Sequence, residues 1–253
     1  TRSTEQHSRM TDAEFREAMA ALPEPPSNSV APFWDFWRHD LWTRAQNEPP
    51  DSFMSWPCIY HTMLVDHFDM SGAIEHLGLE ARWLEATASP NRSLRLALVE
   101  QAHHLKRWED ATGKHIEDLD TILEFGGGFG AMVLVAHRLG FTGEYVVCDL
   151  PEFVLLQRWF LARHGLGVRH IEAGEPLRAD VLMGLYSVSE IPFQMRDRVF
   201  EAVQAQSYLL LYSSRFADYD NDVYFARFVQ RTNLDWSVVP FPGRPSNWYA
   251  IGC

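Results

Sequence analysis

Positive charge is scarce in this chain. Its 22 Lys and Arg stand against 34 Asp and Glu, a formal net charge of −12 over 253 residues. No Lys/Arg cluster makes a basic face, and the balance opposes a polyanionic partner, so nucleic acid is not the expected ligand. Cysteine is scarce too. Cys58, Cys148 and Cys253 are scattered without metal-type spacing; they point to a reducing compartment, with a cytoplasmic location the expectation, and to no disulfide framework. No apolar run approaches the length of a membrane span and no signal-peptide pattern opens the sequence, so no membrane partner is expected. Thr1 is not methionine, which leaves room for residues ahead of it. What the chain does hold is core material. Hydrophobic residues make up 46 % and aromatics 13 %, enough for one sizeable domain or for one domain with a helical extension.

The first half reads as helical. Thr11-Asp12-Ala13-Glu14 is a capping box ahead of Phe15, Ala18, Met19 and Leu22, and Pro23–Pro26 ends that helix. Pro32 opens a second one carrying Phe33, Trp34, Phe36, Trp37, Leu41 and Trp42. Those rings are expected to fasten the helix to the fold, and lining a pocket is the alternative. Residues 46–57 read as loop. Ile59, Met63, Leu64 and Phe68 suggest a helix bearing His61, Asp66 and His67. Asp69-Met70-Ser71-Gly72 reads as a turn rather than as part of a metal site with Asp66 and His67, so no metal is expected. Ser89-Pro90 is expected to cap a long helix with Leu94, Ala97, Leu98, Leu105 and Trp108 on one stripe, His104 beside the stripe and His103 in solvent. Residues 1–115 thus form a helical region, a substrate lid or pocket wall or else a dimerisation surface. A homo-oligomer is one of its expected outcomes.

From residue 116 strands and helices alternate. Buried strands are expected at Ile122-Leu123, Glu144–Asp149, Val168–Ile171, Asp180–Tyr186 and Ser207–Tyr212. Helices follow at Pro151, near Pro192 and from Asp220 to Gln230, where Tyr224, Phe225, Phe228 and Val229 face inward. Leu234–Val239 and Asn247–Ile251, with no helix between them, imply a closing antiparallel hairpin. The fold class is therefore α/β: a Rossmann-like, doubly wound sheet with a C-terminal hairpin over residues 116–253.

The chain turns on Ile122-Leu123-Glu124-Phe125-Gly126-Gly127-Gly128-Phe129-Gly130. A buried strand ends at an acid, runs into glycines and then into the helix of Met132, Val133, Val135, Ala136 and Leu139, which Gly140 stops. Glycines there allow positive φ and close approach of a ligand, and the helix start offers free N–H groups and a positive dipole end. Such a cradle at a strand's carboxyl end serves either dinucleotide oxidoreductases or S-adenosylmethionine (SAM) methyltransferases. Three features favour SAM. Glu124 supplies a carboxylate for a cofactor's α-amino group. The glycines fit G-x-G-x-G without exception, whereas G-x-G-x-x-G would end on Ala131. The sheet closes with a hairpin after a single βα series. Asp149, at the end of the second strand, suits ribose hydroxyls in either class, with capping of the next helix as the simpler role.

With these residues the chain resembles class I SAM-dependent methyltransferases. Glu124, Gly126, Gly128 and Gly130 match E/D-x-G-x-G-x-G, and Asp149 matches the second-strand acid. Tyr186-Ser187-Val188-Ser189-Glu190-Ile191-Pro192, Asn221–Phe225 and Asn247–Gly252 are similar to segments of bacterial proteins described as sugar O-methyltransferases. The resemblance spans about residues 90–253. It implies that Glu124 and Phe125 lie at the cofactor's methionine end, with Glu124 holding the amino group directly or through water. Gly126, Gly128 and Gly130 would pass under the cofactor, and Asp149 would grip the ribose with Leu150 against the adenine. Glu172 and Ala173 would lie near the adenine amine, and Tyr186 and Ser187 beside the sulfonium. Ala173-Gly174 stand where the pattern has an acid–aromatic pair. The implied partner is a small-molecule substrate. An alcohol acceptor needs a base within hydrogen-bond reach; of His61, His67, His103, His104 and Glu190, the expected candidates are His61 and Glu190.

Overall fold

The computed structural model describes residues 10–26, 32–59, 70–78, 80–242 and 244–253. Helices come first: α1 (Asp12–Ala21), α2 (Pro32–Asn47), α3 (Met70–Leu77), α4 (Ala81–Ala86) and α5 (Arg92–Thr112). The capping box forms as expected, with Thr11 Oγ1 accepting from Glu14 N and Glu14 Oε2 accepting from Thr11 N. Two expectations are corrected here. Asn91, not Ser89-Pro90, caps α5, its side chain accepting from Leu94 N at 3.0 Å. The turn expected at 69–72 gives way, from Met70 onward, to α3. Residues 60–69, with the helix proposed there and His61, Asp66 and His67, lie outside the described residues.

The second half alternates as anticipated: β1 (Thr121–Phe125), α6 (Ala131–Arg138), β2 (Glu144–Cys148), α7 (Pro151–Ala162), β3 (Arg169–Ile171), β4 (Leu177–Ala179), β5 (Val181–Leu185), α8 (Phe193–Ala202), β6 (Val203–Ala205), β7 (Tyr208–Ser213), β8 (Arg215–Phe216), β9 (Tyr219–Asp220), α9 (Asn221–Arg231), β10 (Trp236–Pro240) and β11 (Asn247–Gly252). Seven strands form one sheet in the order β10-β11-β7-β5-β1-β2-β3. The run from β7 to β3 is parallel, and β11 lies antiparallel between β10 and β7. The Rossmann-like sheet with its closing hairpin is thus as expected. The small pairs β4–β6 and β8–β9 are additions that three- and two-residue strands give no periodicity to announce. Val229 is half-buried, less inward than its stripe suggested.

Strand alternation sends successive β1 side chains to opposite faces. Ile122 joins a core with Val133, Val135, Trp159 and the N-terminal helices' Phe15, Leu41 and Trp108. Leu123 and Phe125 join the other face with Val146, Tyr208, Phe225 and Phe228. The helical region therefore shares a core with the sheet, and polar ties reinforce this. Asp12 Oδ1 accepts from Trp159 Nε1 and Arg163 Nη1. Arg38 on α2 donates two 3.0 Å bonds to Glu152, whose side chain is 2 % exposed at the start of α7, a bidentate geometry that fixes direction as well as charge. These ties hold α2 over the carboxyl ends of the strands.

Candidate active site

The glycine turn follows β1 at the carboxyl edge of the sheet. Gly126 N donates to Cys148 O at 2.8 Å, fastening the turn to the end of β2. Gly126 sits at φ +76°, and a Cβ there would lie 2.3 Å from Ser187 Cβ, so only glycine lets β1 and β5 end side by side. Gly130, at φ +95°, is the N-cap of α6, and its hydrogen allows Leu161 to pack close by.

Two acids brace the turn. Glu124 lies beneath it, 4 % exposed, with Oε2 accepting from Tyr145 OH at 2.9 Å. Burial pushes its carboxyl up to about 7, against the lowering effect of that bond. Asp149 approaches from the end of β2. Its Oδ1 accepts from Leu150 N at 2.7 Å, and its Oδ2 accepts from Gly128 N at 3.1 Å and from Gln157 Nε2 at 2.7 Å. Burial raises it to about 7 even so. Asp149 is therefore not the side-chain cap of α7, whose N-cap Leu150 makes no side-chain bond. Gln157 was not anticipated: it also donates to Gly128 O at 2.9 Å, and its carbonyl faces His170 Nε2. A glutamine on an otherwise apolar helix reads as a solvent residue until β2 and the turn are placed beside it.

Leu150 is half-buried against the core. Glu172 is exposed just past β3, and Ala173 is half-buried there. Phe125 is buried in the far-face core rather than open to a ligand.

Across the turn, β5 ends at Tyr186, which takes φ 66° and ψ −46°. A non-glycine residue in this region costs about 1–3 kcal/mol and persists only where its surroundings over-determine it. Here Tyr186 N donates to Leu211 O, and Tyr186 O accepts from Ser189 N and Oγ. Ser187 donates its hydroxyl to Phe125 O, so Tyr186 and Ser187 stand directly beside the glycine turn. Tyr186 OH accepts from Arg244 Nη1 at 3.3 Å, and burial raises the phenol to about 12. The short 3-10 turn Ser187–Glu190 follows. Glu190 precedes α8 without being its cap. Its Oε2 instead accepts from Trp34 Nε1 at 3.0 Å, and burial raises it to about 7, against Trp34 and Arg196. The aromatic helix α2 thus both fastens to the fold and faces the site.

A third group closes this side. Arg244 acts electrostatically on Glu100, His104 and Tyr186, and Glu100 in turn acts on Tyr186 and Tyr249. His103, expected in solvent, is 3 % exposed because α3 covers it, with His76 and His103 ring centroids 4.8 Å apart. The catalytic candidates therefore separate. Glu190 is at the site, and His61 lies outside the described residues. Among the described residues no group of three or more His, Cys, Asp or Glu could hold a metal ion, and no helix is long and apolar enough to cross a membrane.

The strand order defines a Rossmann-like sheet with a closing antiparallel hairpin, and the glycine turn follows its strand β1. Among solved structures, the chain is similar to a SAM-dependent methyltransferase from Aquifex aeolicus (15 % identity, TM-score 0.46, covering 73 % of this chain and 98 % of that one). It is also similar to the glycopeptide N-methyltransferase MtfA (12 %, 0.45, 62 % and 89 %). A third is the precorrin-6y C5,15-methyltransferase from Geobacter metallireducens (18 %, 0.41, 60 % and 85 %). No protein-family model and no curated protein matches the chain. At such identities the chemistry must be read from this chain's own residues.

Proposed function

We propose that this protein is a SAM-dependent methyltransferase that methylates a hydroxyl of a small polar acceptor such as a sugar or glycosylated metabolite. The observation that carries the reading is Asp149, whose carboxylate reaches Gly128 N of the glycine turn from the end of β2. Three donors already bind its oxygens, and a carboxylate offers about four acceptor positions, which leaves capacity for a ribose hydroxyl.

The other residues fit the same ligand. The N–H groups that open α6 and its positive dipole end face the turn. Glu124 lies under the turn with capacity beyond its bond to Tyr145, and its burial favours reaching an amino group through water over direct contact. Gly126, Gly128 and Gly130 give the backbone its path beneath the cofactor. Leu150 offers an apolar face for the adenine, and Glu172 and Ala173 stand at its rim. Phe125 contributes through its main chain, since its carbonyl accepts from Ser187. Tyr186 and Ser187 border the reacting end.

Bound SAM supplies an electrophilic methyl group. The chain's task is to align an acceptor lone pair with it and to take the acceptor's proton, and alignment alone can supply roughly 7–11 kcal/mol. Trp34, Glu190, Tyr186 and Arg244 form a wall with an aromatic face, two acceptor groups and a forked donor, which suits a polyol. Within it Glu190 is a candidate base or hydroxyl anchor. The negative net charge agrees with a neutral small molecule rather than nucleic acid, in a cytoplasmic setting.

Calorimetry with SAM, S-adenosylhomocysteine (SAH) and NADH, followed by a screen of free sugars, glycosides and amines for methyl transfer, tests this reading. Binding of both adenosyl compounds and transfer to a hydroxyl are expected. Tight NADH binding with no response to SAM or SAH would overturn it, and transfer only to amines would overturn the hydroxyl assignment.

A further inference from the structure

Glu100 is a buried carboxyl with no hydrogen bond among the described residues. It lies on α5, 6 % exposed. His104 Nε2 stands 3.9 Å from it, one helical turn on. Burying a carboxyl without a hydrogen bond is expensive, and burial pushes this one up to about 8, with Arg244 pulling it back. A fold retains such a group where an absent molecule supplies the missing donor.

The surroundings show where that molecule would be. Arg244, in the turn between β10 and β11, donates to Tyr186 OH at the end of β5, and Tyr186 feels both Glu100 and Glu190. Glu100 therefore lies close enough to the bordering residue Tyr186 to act on its phenol. Behind it the polar chain is ordered. Burial keeps Tyr249 on β11 a phenol and His104 neutral, and Tyr249 OH and His104 Nδ1 share a hydrogen bond of 2.5 Å. Tyr249 and His104 are positioning residues that hold the imidazole beside the carboxyl. Glu190 differs, since Trp34 already occupies one of its oxygens.

Building on the methyltransferase reading, we propose that Glu100 is the general base that takes the proton of the acceptor hydroxyl, with Glu190 anchoring a neighbouring hydroxyl. In this step the acceptor O–H bond breaks and its proton passes to the Glu100 carboxylate. An oxygen electron pair forms the O–CH3 bond, and the pair of the S–CH3 bond leaves on sulfur. Arg244, from the hairpin turn, is the charge that acts on the carboxyl; the titratable groups around it are Tyr186 just after β5, Tyr249 from β11 and His104 from α5 itself.

The test measures SAH affinity and methyl transfer from SAM to free monosaccharides and methyl glycosides for wild type, E100Q and E190Q. E100Q is expected to bind SAH as wild type does and to lose about 10²–10⁴-fold in kcat, whereas E190Q acts chiefly on KM. In wild type, kcat is expected to fall about tenfold per unit as pH drops below about 8, and this profile stands as a test even if E100Q folds poorly. Wild-type turnover by E100Q, or a flat wild-type profile from pH 6 to 9, would overturn the assignment. So would SAH binding with no transfer to any hydroxyl probe. Failure of wild type to bind SAH would instead bring down the methyltransferase reading on which the proposal rests.

Discussion

Asp149 and Glu100 are both acids that burial raises toward neutrality, yet they are built in opposite ways. Asp149 accepts three hydrogen bonds, two from main-chain N–H groups and one from Gln157. Glu100 accepts none among the described residues, and His104 Nε2 stands 3.9 Å away. The first is a finished fitting that holds a loop in shape for a ligand. The second ends a polar chain that runs from Tyr249 through His104. Tyr186, which takes φ 66°, feels Glu100. The proposed methyl transfer would need this asymmetry, because a cofactor must be held in one pose while the acceptor side must still have room to move a proton.

The sharpest way to break the cofactor side is Gly126→Val. A side chain there meets Ser187 Cβ at 2.3 Å from φ +76°. The expected loss is about 2–5 kcal/mol, a Tm lower by about 4–20 °C, together with loss of SAH binding by calorimetry. Wild-type behaviour in both would show that the turn tolerates bulk. Asp149→Asn should act on binding alone. It turns an amide toward the turn's N–H and weakens SAH by about 10–100-fold while leaving the acceptor's KM unchanged at saturating SAM. Equal losses on both substrates would erase the division of labour between the two acids. Trp34→Phe removes the donor to Glu190 and belongs to the other side. It should raise the acceptor KM a few-fold, on the order of 1 kcal/mol, with SAH affinity intact; a weakened SAH affinity would put α2 on the wrong side of Tyr186.

A separate effect concerns stability. Glu100 has a folded value near 8, above its ordinary value of 4.5. The stability this proton confers is present below the ordinary value and is lost as pH rises toward 8. Glutamine does not titrate, so the Tm of cofactor-free E100Q should gain on wild type steadily from pH 5 to 8. A difference that stays constant across that range would mean that Glu100 is solvated.

This contrast also explains what could be read from the sequence. The cofactor side is local: Glu124 through Gly130 form one contiguous strand–turn–helix, and Asp149 ends the next strand, so spacing alone places them. The seven-stranded sheet follows from the same alternation. The acceptor side joins residues far apart in the chain, Trp34 with Glu190 and His104 with Tyr249. No periodicity reports such pairs. His103 falls off the Leu94–Trp108 stripe and reads as solvent-facing, but α3 covers that side of α5 and buries it. Glu100 and Gln157 carry no signal of their own in the sequence, because the groups around them come from distant parts of the chain.

The claim that the glycine turn is a SAM cradle is tested most directly by hydrogen exchange of wild type with and without SAH. Slowed exchange is expected at the amides of residues 126–133 and 149–150, with little change in α3 or in the small β4–β6 pair. If saturating SAH left the turn's amides unchanged, or if NADH alone protected them, the assignment of this site would be contradicted.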